Sequence, residues 1–212
     1  MNSEKNILYK ETKWQFKTKM TNLVFENFDF SKTDFNSPIF KNVTFINCFF
    51  YKSKTGNART YNCHFKNCHF LNVDLSDITI GAQGGIFQNC NFVKCNFKNG
   101  YFYRPEFLLC VFDMCKLKNI DFHASLFDSC RFIGKIEDCI FRKESLKDDL
   151  LGAKPNMMHE IDFSKAILGA YVAFDNCDLS SCIPPKDKTF DEILENSSFY
   201  KNMRVTKQIN SF

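Results

Sequence analysis

Phenylalanine recurs every five residues along this chain, and no common fold tolerates that spacing. It stands at positions 25, 30, 35, 40, 45 and 50, again at 65 and 70, and then at 87, 92, 97, 102, 107 and 112. Leu75, Ile80 and Leu117 fill gaps in the series, which runs on through Phe122, Phe127, Phe132, Ile136, Phe141, Leu146, Phe163, Leu168, Phe174 and Leu179. Twenty of the 26 phenylalanines fall on these centres. A helix would place apolar residues at i, i+3, i+4 and i+7, and a strand would alternate them. A period of five fits a coil in which each unit supplies one short strand and one corner. Four units close a square turn, and successive turns stack at about 4.8 Å with their backbone groups paired. The fold expected is all-β, a right-handed quadrilateral β-helix, with a short helix at the C-terminus.

The position two residues before each centre should also point inward. It reads Leu23, Phe28, Thr33, Pro38, Val43, Cys48, Cys63, Cys68, Val73 and Ile78, then Cys90, Cys95, Gly100, Pro105, Cys110, Cys115, Ile120, Ser125, Cys130 and Cys139. Residues flanking the centres are mostly Asn, Asp, Lys, Ser and His, which marks them as solvent-facing. Repeated Asn-Cys pairs are read as a by-product of the period. Three interruptions divide the coil, which is assigned to 23–182. Residues 51–62 keep the register, so they are either coil with Thr55 and Thr60 as weak centres or a projecting loop. Residues 81–86 hold a two-residue insertion, a bulge or corner that uses glycine's freedom at positive φ. Residues 147–160 leave the register as a loop or short helical excursion.

A stacked coil exposes a β-edge at each end, and each edge needs a cover. Residues 1–22 are expected to form a leader that caps the first turn through Trp14 and Phe16, with Lys10, Lys13, Lys17 and Lys19 in solvent. Residues 183–212 form the other terminus. Thr189 and Glu192 match a capping box, which starts a helix with Phe190, Ile193 and Leu194 on one face. The tail adds Phe199, Tyr200, Val205, Ile209 and Phe212, so this end either caps the coil or forms a dimer surface.

All 11 cysteines occupy the inward position before a centre. Cys48, Cys68, Cys90, Cys110 and Cys130 recur once per turn once the insertion is counted, so they form a ladder on one side. Stacked thiols in one column do not converge on a metal, and parallel neighbours lack the geometry of a disulfide. They read as small buried hydrophobes, in keeping with a reducing, cytoplasmic setting. No metal or cofactor is expected. His64, His69 and His123 point outward while the thiols point inward, so no Cys–His nucleophilic pair forms. His159 lies in the irregular stretch beside Glu160. There is no phosphate-binding glycine loop and no zinc-protease motif, and the reading is non-enzymatic.

Charge narrows the partners. Lys plus Arg exceeds Asp plus Glu by 28 − 24 = 4 over the 212 residues, and the basic residues form no stripe along the sequence, which argues against direct nucleic-acid binding. No apolar run approaches the length of a membrane helix. One stretch of surface stands out. Because Phe102 must point in, Tyr101 and Tyr103 are forced out beside Arg104, and Leu108 and Leu109 follow at nominally outward positions. Exposed aromatics beside an arginine suit the centre of a protein interface. These five residues are the candidate partner-binding site.

The units CHFKN at 63–67, CNFVK at 90–94 and CDLSS at 177–181 resemble the motif of the pentapeptide-repeat family over roughly residues 23–182. That resemblance implies a rigid interaction module. It also implies an alternative, a protein of the quinolone-resistance type that binds DNA gyrase or another topoisomerase by mimicking DNA and dimerises through its C-terminus. Between Thr21 and Ile133 there are 12 Lys or Arg against 9 Asp or Glu, whereas a DNA mimic should carry an acidic face. The chain is expected to be a monomer or a C-terminal homodimer.

Overall fold

In the computed structural model, which describes residues 19–55, 57–144 and 154–195, the period of five closes into a four-sided coil of parallel strands. The first face stacks the strands Lys19–Thr21, Ile39–Lys41, Arg59–Tyr61, Thr79–Ala82 and Tyr101–Phe102. The second stacks Val24–Glu26, Thr44–Ile46, His64–Lys66, Ile86–Gln88, Glu106–Leu108 and Leu126–Asp128. The third is built on Phe49–Tyr51, His69–Leu71, Asn91–Val93, Val111–Asp113 and the start of the long strand Arg131–Arg142. The fourth is joined by single bridges, Asp34 to Lys54, Lys54 to Asp74, Asp74 to Asn96 and Asn96 to Lys116. The coil starts at Met20, which is buried in the first strand, one unit before the boundary that the phenylalanines suggest.

The second and third faces each send an unbroken column of rings into the interior, while the first interleaves its rings with Met20, Thr60 and Ile80 and the fourth with Thr55, Leu75 and Leu117. Phe45 stacks on Phe65 at 4.7 Å, and Phe65 on Phe87 at 4.6 Å, with planes 7° and 2° from parallel. Between neighbouring columns the rings meet edge to face, as Phe40 meets Phe45 at 5.4 Å and 89°. Both arrangements suit the aromatic quadrupole. At the first turn the packing is looser: Leu23, expected inside, is 41% exposed, and Phe25 is only half-buried.

The corners have their own chemistry. The residue two places after most centres adopts positive φ, between 47° and 60° at Asn22, Asn27, Asn42, Asn47, Asn62, Asn67, Asn72, Asn89 and Asn119. Asparagine tolerates this left-handed conformation better than other residues with a side chain, except glycine. Its amide is then stacked once per turn: Asn47 donates to Asn27 at 3.0 Å, Asn67 to Asn47 at 3.1 Å and Asn89 to Asn67 at 2.9 Å. The Asn-Cys pairs are therefore more than a by-product of the period. Each joins a corner that must turn left-handed to a site that must be small and buried.

Residues 51–55 and 57–62 are coil. Ser53, Thr55, Ala58 and Thr60 are all buried, and Arg59–Tyr61 pairs with the strands on either side. Thr55 donates its hydroxyl to the Asp74 carbonyl at 2.8 Å, and Thr60 donates to that of Thr79 at 3.2 Å. Two threonines where neighbouring turns have phenylalanine, leucine or isoleucine leave an apolar cavity of about 40 Å³. The insertion is a bulge, with Gly81 and Gly84 at φ +83° and +96°. A Cβ on Gly81 would lie 2.7 Å from Pro105.

Beyond the interruption the coil is regained by Asn156 rather than at 161. Fully buried, Asn156 accepts from the backbone N–H of Phe127 at 3.1 Å and of Met158 at 3.2 Å. It donates its backbone N–H to Lys143 and its amide to Arg142. Near the C-terminal end a helix begins at 190. The Thr189 hydroxyl accepts from the Glu192 N–H, and Glu192 accepts from the Thr189 N–H at 2.7 Å, the reciprocal box expected from the sequence. Phe190, Ile193 and Leu194 pack against the core, so this part of the terminus covers the coil. Trp14 and Phe16 of the leader, Leu146, the stretch 145–153 and the tail residues Phe199, Tyr200, Val205, Ile209 and Phe212 lie outside the described residues.

Candidate functional site

The outward positions of the first face are set by the strands at one end and by the bulge in the middle. Arg59, Thr79 and Tyr101 align in one outward row. Tyr61 pairs in register with Ala82, and Tyr103 follows on the next turn. Small side chains at Thr79 and Ala82 lie between larger ones on the turns above and below. The result is a shallow groove of about 520 Å³ lined by Arg59, Tyr61, Thr79, Ala82, Gln83, Tyr101 and Tyr103. Tyr101 is 47% exposed and Tyr103 half-buried, with ring centroids 5.7 Å apart. His123, one turn further on, lies 5.2 Å from Tyr101.

The five candidate residues do not form one patch. Tyr101 and Tyr103 share the groove, and Arg104 occupies the adjoining corner at φ 52°. Leu108 belongs to the second face, in register with Gln88 and Asp128. Leu109 sits at the far corner of that face, where it ends the ladder of Asn27, Asn47, Asn67 and Asn89, and is 56% exposed. A corner therefore separates the leucines from the tyrosines. Arg59, Tyr61 and Gln83 are the groove residues that local sequence context does not reveal. Counting one turn back from Tyr101 and Tyr103, with the insertion included, leads to Thr79 and the bulge. A second turn leads to Arg59 and Tyr61.

Charge is distributed unevenly. Lys19, Lys41 and Arg59 stand on the first face. Its acid Asp121 is held by Arg142 at 2.8 Å, and Arg142 also reaches Asp175 at 2.8 Å. The hydrogen bond with Asp121 raises the Arg142 pKa. On the second face Glu106 meets Lys154 at 3.0 Å, and Asp128 meets His159 at 3.0 Å. The latter contact raises the His159 pKa and lowers that of Asp128, a surface pairing. Among the described residues the acids are interleaved with bases and form no continuous acidic face.

The thiols point inward and satisfy their S–H groups there. Cys90 donates to the Phe65 and Gln88 carbonyls at 3.4 Å, and Cys110 to Phe87 and Leu108 at 3.3 and 3.4 Å. All eleven are free, and nine are buried. Burial pushes the pKa values of Cys63, Cys90, Cys110 and Cys130 up, and that of Cys139 up to about 12. The histidines lie outside the coil; His69 stacks on Phe49 at 5.0 Å. Among the described residues no three His, Cys, Asp or Glu side chains group as metal ligands would, and no helix is long and apolar enough to cross a membrane.

The class that this architecture defines is a quadrilateral β-helix of five-residue repeats. No protein-family model matches the chain, and no curated protein does. Among solved structures it is similar to QnrB1, a plasmid-mediated fluoroquinolone resistance protein, in a trypsin-treated form. Identity is 17% and the TM-score 0.41, over 78% of this chain and 87% of that one. It is also similar to HetL, a pentapeptide repeat protein involved in heterocyst differentiation regulation from the cyanobacterium Nostoc sp. strain PCC 7120. There identity is 10% and the TM-score 0.41, over 80% of this chain and 88% of that one.

Proposed function

We propose that the protein is a non-enzymatic interaction module, and that its first face docks a segment of a protein partner. The observation that carries this reading is the groove, in which Tyr61, Tyr101 and Tyr103 surround the small floor of Thr79 and Ala82. An apolar or aromatic partner side chain fits against such rings, and Arg59 supplies a fork for a carboxylate beside it. The stacked coil holds the site on strands, so little backbone order is lost on binding. Arg104 extends the site around the corner, and Leu108 and Leu109 provide a separate apolar contact on the second face. The reduced thiols fit a cytoplasmic location.

The second reading is binding to DNA gyrase or another topoisomerase by mimicry of DNA. The five-residue repeat favours it, and the basic first face and interleaved acids oppose it. One experiment separates the two: capture of partners from native lysate by wild type and by Tyr101→Ala/Tyr103→Ala, run beside a gyrase supercoiling assay with and without a quinolone. Loss of one specific partner in the double variant, with gyrase unaffected, supports the groove. Protection of gyrase by both proteins equally would overturn it in favour of the second reading.

A further inference from the structure

A basic stripe runs up the edge where the third and fourth faces meet, on a surface separate from the groove. Its corner column stacks Lys32, Lys52, Asn72 and Lys94, all at φ between 53° and 60°, each donating its backbone N–H to a third-face carbonyl one turn on. Met114 closes the column. On the fourth face Lys54 and Lys116 stand in one outward row with Asp34, Asp74 and Asn96, and Lys98 follows two residues after Asn96. All six lysines are exposed, and among the described residues none of them stands in an ion pair. Lys118, beyond Lys116, is instead held by Glu137 at 3.5 Å. The two aspartates are engaged in the turns. Asp34 accepts from the Asn36 N–H at 3.0 Å, and Asp74 from the Ser76 N–H at 3.1 Å and the Asn96 amide at 3.0 Å. Asp113 and Asp77 lie outside the stripe, on the third face and at the far corner of the fourth. Lys32 and Lys52 are twenty residues apart in the chain yet neighbours in the column, which is why the sequence shows no stripe. The expectation against direct nucleic-acid binding rested on that absence, and the coil supplies what the sequence lacks.

The chemistry of the stripe selects its ligand. It is about 19 Å long, four steps of about 4.8 Å from the turn of Lys32 to that of Lys116, and sets six cations against two acids. Among the described residues from Asp34 to Lys116 the outward rows of the fourth face hold no apolar side chain. A protein interface takes apolar anchors at its centre and is depleted in lysine. A membrane contact made by lysines needs an apolar or lipid anchor beside them. A single nucleic-acid strand is held by aromatic rings on which its bases stack. Duplex DNA needs none of these. It carries one negative charge per about 1.7 Å of its axis, and lysines that neutralise its phosphates bind it by releasing counterions, whatever the sequence. Duplex RNA is instead gripped across successive minor grooves through its 2′-hydroxyls, farther than a straight stripe of this length reaches. We propose that this edge of the coil binds the sugar–phosphate backbone of duplex DNA, over about five or six base pairs and without reading their sequence.

The test uses the full chain and a fluorescently labelled DNA duplex of mixed sequence, with binding followed by anisotropy as salt is raised. Neutralising about four to six phosphates gives a slope of log affinity against log salt of about −3.6 to −5.4. Lys52→Asn/Lys94→Asn places at both corners the residue that Asn72 already supplies in the same column, so the fold is kept. This variant should bind at least about tenfold more weakly at low salt, with a slope shallower by about 1.8. Lys19→Gln/Lys41→Gln removes the same charge from the first face and should leave affinity and slope nearly unchanged. A second duplex of unrelated sequence should bind equally. Wild type that fails to bind at about 50 mM salt would overturn the proposal. So would equal losses in the two double variants, which would reduce the effect to net charge. Tighter binding of a single strand, a duplex RNA, anionic lipid vesicles or polyglutamate at equal charge would overturn it too, by assigning the stripe to that ligand.

Discussion

Phe50 and Phe70 are twenty residues apart in the chain, yet their rings stack with centroids 4.6 Å apart and planes 4° from parallel. The same relation repeats up the columns of the second and third faces, where each ring inside the column is held by the one above, the one below and edge or tilted contacts from the next column. Phe112 shows the full set: it stacks on Phe92 at 5.0 Å and Phe132 at 4.9 Å, meets Phe107 edge to face, and is 1% exposed.

Replacing Phe112 by alanine removes both stacks and leaves a cavity between turns. Urea unfolding should show a loss of about 3–5 kcal/mol. A loss below about 1 kcal/mol would place the ring in a site that collapses freely, contrary to the column.

The corners should respond to backbone conformation more than to polarity. Asn67, at φ 53°, sits in the middle of its ladder. Asn67→Ala should cost about 1–2 kcal/mol, since alanine gains nothing to offset the left-handed conformation. Asn67→Gly should recover part of that loss. Equal stabilities for the two variants would assign the asparagine to its side-chain hydrogen bonds alone.

At the bulge, Gly81→Ala should cost more than Gly84→Ala. Both residues have positive φ, but only at Gly81 does an added Cβ run into Pro105, at 2.7 Å; at Gly84 the nearest atom is 3.9 Å away. Gly84→Ala should lose about 1 kcal/mol from backbone strain, and Gly81→Ala clearly more. The reverse order would mean that the close approach to Pro105 relaxes without cost.

These features were unequally legible. The column of rings and the inward cysteines follow from spacing alone, because a side chain's direction in a five-residue unit is fixed by its place. Thr55 and Thr60 keep the register, but spacing left coil and projecting loop both open there, and it is their burial that decides for coil. Corner asparagines were visible as letters but not as a conformational demand, since only backbone angles separate a left-handed corner from a solvent-facing loop. The groove escaped because Arg59 and Tyr61 reach Tyr101 through two turns and an insertion. Asn156 escaped for another reason: it rejoins the coil through side-chain hydrogen bonds, which leave no period.

The thiols make stability depend on alkaline pH. Burial raises the folded pKa values of Cys63, Cys90, Cys110, Cys130 and Cys139, that of Cys139 to about 12, while unfolded thiols titrate near 8.5. The sign is therefore that stability is unaffected below about pH 8 and falls as pH rises from there toward 12, because the unfolded chain releases protons that the folded one retains. Urea midpoints at pH 7, 9 and 10 should decline in that order, by less in Cys139→Ala than in wild type. In the native protein at pH 8 a thiol reagent should reach Cys177 and Cys182 at most, the two that are only half-buried. Rapid modification of Cys90 or Cys110 would contradict their place inside.

The period itself, rather than any particular turn, specifies the fold. Removing residues 91–110 joins Cys90 to Val111 and deletes one turn while keeping every later residue in register, since Phe112 then follows Cys90 as Phe92 did. Removing 91–109 deletes one residue fewer and shifts every later ring off its column. Far-UV circular dichroism with urea unfolding of both variants should find the first folded and cooperative and the second unfolded or non-cooperative. If the two unfold alike, register does not govern this chain and the account fails.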